Sequence, residues 1–114
     1  MGAKLIRDKV KDDPNISDEA RIHIRKASSE DEHFGLLVGK LFEEIGELMA
    51  FAGTEGVTNE DLLEEIVDIY TVLTTMIGMN YTSDEFQAAF KKKLEEKGGF
   101  AEGWVWDRDR YLGE

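Results

Sequence analysis

Apolar residues recur at helical spacing along much of this chain, and acids interrupt them at regular places. Leu41, Ile45, Leu48 and Ala52 form one stripe, and Leu62, Val72 and Met76 belong to a second. Leu73, Tyr70 and Ile77 share the second segment and are expected in its core. Each helical segment has a start signal: Ser29 with Glu32, Thr58 with Asp61, and Thr82 with Glu85 resemble capping boxes. Gly53 and the Gly98-Gly99 pair supply stops, and Gly78 weakens the end of the second segment. The pattern predicts helices over about 29–53, 58–79 and 83–97. Two shorter stretches alternate instead. Ile22 and Ile24 among Arg21, His23 and Arg25 predict a strand at 20–26, with Gly-Trp-Val-Trp-Asp near 102–107 as its partner. The expected fold is mainly α, an antiparallel helical hairpin plus a third helix, with one small β ribbon.

The acids follow the symmetry of that hairpin. Positions 44 and 68, like 47 and 65, are equidistant from residue 56, about which the two helices turn. Antiparallel helices rise equally per residue, so the pairs Glu44/Glu47 and Glu65/Asp68 stand at matching heights. The spacing of three within each pair keeps both carboxylates on one face. Exposed acidic faces usually carry cations four residues on, but Glu43, Glu44, Glu47, Glu64 and Glu65 are followed there by Glu47, Leu48, Phe51, Asp68 and Ile69. Lys40 precedes Glu44 by four, the less favourable order. At about 100° per residue, Glu65 projects between Val72 and Met76, on an apolar flank. Carboxylates so placed are costly unless a cation joins them, and oxygen-only donors select a hard ion, Mg²⁺ with Mn²⁺ as substitute.

Composition narrows the surroundings of such a site. The 114 residues suit one domain spanning 1–114, with 41% hydrophobic residues and no cysteine for a thiolate site or a disulfide. A charge of -11 disfavours broad attachment to nucleic acid polymers or anionic membranes. An anionic substrate then needs a bridging metal. With no signal peptide and no apolar run of about 20 residues, the expected location is cytoplasmic.

The string EEIGE at 43–47, with EIVD at 65–68, resembles the EExxE and ExxD signature of the all-α nucleoside triphosphate pyrophosphatases, the MazG-like superfamily. KLIRDKV at 4–10 and KGGF at 97–100 are similar to segments flanking the helical core in a house-cleaning branch of that superfamily. The resemblance implies cleavage of a nucleoside triphosphate between its α and β phosphates, releasing a monophosphate and pyrophosphate with Mg²⁺. It implies that Glu44, Glu47, Glu65 and Asp68 are metal ligands, and that Glu43 orients water or a second ion, giving Glu43, Glu44 and Glu47 the catalytic positions. Positive side chains should balance the leaving pyrophosphate. The candidates are Lys93 and Lys97, one turn apart, Arg7 and Lys9 on the N-terminal arm, and Lys40.

Two other readings compete. Phosphoribosyl-ATP pyrophosphohydrolase belongs to the same broad superfamily, and a non-catalytic helical module would use the acids for structural metal or a basic partner. His23 and His33 read as ordinary surface positions, while Trp104, Trp106, Phe100 and Tyr111 suit either base stacking or packing. Phe86, Phe90, Met76 and Met79 leave apolar surface to bury, which predicts a homodimer or higher homo-oligomer.

Overall fold

In a computed structural model of the protein, residues 2–107 are described. They contain a 3₁₀ turn at Asp8–Asp12 and helices α1 (Asp18–Arg21), α2 (Glu30–Phe51), α3 (Asn59–Asn80) and α4 (Ser83–Lys97). The chain divides into two compact units, Met1–Asn80 and Tyr81–Glu114. The first is built on an α2–α3 hairpin, preceded by an N-terminal arm. The second carries α4 and the segment after it. No described helix is long and apolar enough to cross a membrane.

Local chemistry sets the helix ends. Ser29 accepts from the Glu32 N–H at 3.0 Å, while the Glu32 carboxylate takes the Ser28 N–H and a two-point contact from Arg25 at 2.8 Å. At the start of α3, Thr58 and Asp61 cap each other's backbone N–H at 3.0 and 3.1 Å, and Thr82 and Glu85 do the same for α4. Gly53, just past α2, has a φ of 78°, a left-handed turn that a side chain would resist. Gly78 does not stop α3, which continues to Asn80.

The expected β ribbon is corrected by the structure: the described residues contain no strand. Ser17 caps α1 by accepting from the Ala20 N–H at 3.1 Å, which winds 18–21 into a helical turn. The Arg21 guanidinium donates to the carbonyls of Lys11, Asp13 and Ile16, gathering the preceding loop around itself. The N–H groups of Arg21, Ile22, His23 and Ile24 bond locally to the carbonyls of Ser17, Asp18, Ala20 and Arg21, which uses backbone groups that a ribbon would otherwise pair. Near the C-terminal end, the Gly103 N–H closes a turn onto the Phe100 carbonyl at 3.2 Å.

Among the described residues little is buried: Leu37 and Val72 are the buried apolar ones, and Glu44 and Glu65 join them on the inner faces of α2 and α3. Leu37 and Glu44, like Glu65 and Val72, are seven residues apart, about two turns along one face. Tyr70 and Leu73, expected in the core, are exposed, Tyr70 by 67%. Tyr70 lies five residues from Glu65, about 140° around the helix, and so points away from the inner face. Phe42, Met49, Leu63 and Ile66 are exposed too, giving the hairpin a broad apolar outer surface.

Candidate metal centre

Helix α2 contributes Glu43, Glu44 and Glu47, and α3 contributes Glu65 and Asp68. One carboxylate oxygen from each of Glu44, Glu65 and Asp68 lies within 4.8 Å of the others, and the same holds for Glu43, Glu44 and Glu47. Glu44 joins the two triplets. Across the hairpin the structure brings Glu44, Glu65 and Asp68 together, while Glu47 groups with Glu43 and Glu44 on α2.

Burial separates this cluster from an ordinary acidic face. Glu44 is 5% exposed and Glu65 9%, and Oε2 of each is a buried acceptor without a donor. Leaving such oxygens charged and unpaired is expensive. Glu65 responds by holding its proton, its pKa pushed up to about 7, first by burial, then by hydrogen bonding of its protonated form to Glu47 and Glu44, and by their charge. A hard divalent cation would satisfy these oxygens instead. Oxygen-only donors, two of them buried and lacking partners, fit Mg²⁺ or Mn²⁺.

Basic side chains surround the acids. Lys40 Nζ lies 3.3 Å from Glu44 and 3.5 Å from Glu43. Burial alone would lower the Lys40 pKa, but the Glu44 hydrogen bond and the charges of Glu43 and Glu44 outweigh it and raise the value. Lys4 Nζ reaches Glu43 Oε1 at 3.1 Å, and this bond holds the Glu43 pKa below its usual range, with help from the Lys40 charge. Arg7 pairs with Asp68.

The arm and the hairpin enclose a groove of about 750 Å³ whose lining includes Lys4, Arg7, Lys9, Lys40, Glu44 and Asp68. Its size is that of a small-molecule site. Of the expected phosphate contacts, the structure brings Arg7, Lys9 and Lys40 to this groove. Lys93 and Lys97 are exposed on α4, in the second unit. Lys4, which no sequence signal marks as a site residue, stands three positions before Arg7 in the basic arm. His33, expected at an ordinary surface position, lines the groove with Thr71 and Thr75. Phe100 and Trp104 are exposed, and Tyr111 lies outside the described residues. No family model matches the chain, and no curated protein or solved structure matches it.

Proposed function

We propose that this protein is a Mg²⁺-dependent nucleoside triphosphate pyrophosphohydrolase of the MazG-like, all-α superfamily, cleaving between the α and β phosphates in a house-cleaning role in the cytoplasm. The observation that carries this reading is the pair of buried, partnerless oxygens on Glu44 and Glu65, set in a carboxylate cluster on a groove with basic walls. The EEIGE and EIVD motifs place acids at the same positions.

In this reading Glu44, Glu47, Glu65 and Asp68 hold the cation. A bound divalent ion supplies charge neutralisation for the polyphosphate and acidifies the attacking water. Glu43, with Lys40 Nζ 3.5 Å away to favour its ionised form, orients that water by accepting its hydrogen bond. Lys40, Arg7 and Lys9 line the groove as cations for the phosphate oxygens. The triphosphate tail is the part of the substrate this site recognises, so one groove can serve several bases.

The apolar outer surface of the hairpin, with Phe42 at 72% and Met49 at 71% exposure, supports self-association as a homodimer or larger assembly. The activity is tested by incubating the protein with Mg²⁺ and a panel of canonical and damaged triphosphates, then separating pyrophosphate from orthophosphate. Pyrophosphate with the monophosphate is expected. Orthophosphate alone would overturn the cleavage position, and silence across the panel with metal bound would turn the site into a non-catalytic one.

A further inference from the structure

The arm touches the acids in a way that the proposed reaction does not by itself explain. Among the described residues, no backbone hydrogen bond ties residues 3–6 to the helices. Clefts of about 230 and 750 Å³ are lined in part by this segment. Two ion pairs hold it, Lys4 to Glu43 and Arg7 to Asp68, and the lysine and arginine side chains are 60% and 56% exposed. Exposed pairs of this kind are weak, so the arm is lightly latched. Each latch ends on an acid of one of the two carboxylate triplets.

Charge supplies the link. The acids Glu43, Glu44, Glu47, Glu65 and Asp68 are set against three cations paired to members of the cluster, Lys4, Arg7 and Lys40, while Lys9 and Asp8 on the groove offset each other, which leaves two negative charges unmatched when all the acids are ionised. One divalent ion completes the balance. Such an ion beside Asp68 and Glu44 repels the Arg7 guanidinium and the Lys4 ammonium and competes for the carboxylates that latch them. Released from those acids, both cations remain tethered at the groove. Phosphate oxygens are then their natural partners, the guanidinium matching them two at a time.

We propose that the N-terminal arm is a counter-ion strap, in which Lys4 and Arg7 latch onto Glu43 and Asp68 in the metal-free protein and transfer to the phosphates of an anionic ligand once a divalent cation occupies the acids. The proposal rests on the metal reading above and adds a specific role for Lys4. The opposite arrangement is also well defined: an Arg7 that merely orients Asp68 as a ligand would strengthen metal binding rather than oppose it.

Calorimetric titration with Mn²⁺ alone separates the two. Lys4→Met and Arg7→Met should each bind Mn²⁺ about threefold more tightly than the wild type, since an exposed competing cation is removed. Arg7→Lys, which keeps the charge, should stay near the wild-type value. In the unaltered protein, trypsin cleavage after Arg7, Lys9 and Lys11 should accelerate when Mn²⁺ is added. It should slow again when an α,β-methylene nucleoside triphosphate joins the metal. Equal or weaker Mn²⁺ binding by both methionine variants, or an arm that Mn²⁺ alone protects from trypsin, overturns the strap. Absence of Mn²⁺ binding by the wild type would sink the metal site itself, a result distinct from either.

Discussion

Replacing Glu65 by Gln separates what this acid costs the fold from what it does for a ligand. Glu65 is 9% exposed, with a carboxylate oxygen within 4.8 Å of oxygens from Glu44 and Asp68. Two unit charges at that distance repel by about 3 kcal/mol at an effective dielectric of about 20. The metal-free protein avoids this by keeping Glu65 protonated to a pKa of about 7, against 4.5 when unperturbed. Because the folded chain binds the extra proton, its stability is highest below the unperturbed value and falls as pH rises through the window from 4.5 to about 7. At pH 5 the glutamine variant should therefore melt close to the wild type. At pH 8.5 in chelator it should melt higher, because relief of only about 1 kcal/mol raises Tm by about 4–8 °C in a domain of this size. Added Mg²⁺ should reverse the order. An ion present at about 100 times its Kd stabilises the wild type by about 2.7 kcal/mol, and the variant lacks one of the ligands that secure it. Thermal melts followed by circular dichroism at both pH values, with and without Mg²⁺, provide the test. A variant less stable than the wild type in chelator at pH 8.5, or stabilised equally by Mg²⁺, would refute the reasoning.

Asp68→Asn should lower pyrophosphate release by at least about 100-fold, since loss of a direct ligand should exceed the 10- to 100-fold effect typical of outer partners; initial rates in saturating Mg²⁺ measure this. Leu37→Ala removes one of the buried apolar residues and should cost about 2–5 kcal/mol, read as a lower midpoint in urea unfolding. The Glu32 carboxylate, held down to about 2 by the Arg25 hydrogen bonds and the Ser28 N–H, adds stability that is complete above its usual 4.5 and lost as pH falls toward 2. Acid melts of Glu32→Gln should accordingly be flatter across that range. Light scattering on a sizing column should give at least a dimer at micromolar concentration, and a double charge substitution, Phe42→Glu with Tyr70→Glu, should shift it toward monomer.

The helices were legible because their ends are chemical events within a few residues. The expected starts at Ser29, Thr58 and Thr82 coincide with caps immediately before α2, α3 and α4. The acid cluster was legible for a different reason: symmetry about residue 56 converts spacing into height in an antiparallel pair. Spacing puts Glu65 on an apolar flank, but the depth at which Glu44 and Glu65 are buried is not legible from it. Glu44 and Glu65 lie on the same inner face as Leu37 and Val72, which depends on how α2 and α3 are rotated against each other. The strand expected at 20–26 does not form because the Ile22 and Ile24 alternation is short, while the Ser17 cap and the carbonyl contacts of Arg21 tie the chain locally just before it. Lys4 is not legible as a site residue because its partner, Glu43, is 39 positions away, a separation at which local pattern carries no information.

Phosphorus NMR of the products tests the central claim most directly, with Mg²⁺, a nucleoside triphosphate accepted in the panel, and wild type beside Asp68→Asn. The account predicts paired resonances of monophosphate and pyrophosphate with the wild type, dependent on Mg²⁺ and nearly absent with the variant. Orthophosphate and a nucleoside diphosphate in their place, or equal product from both proteins, would contradict it.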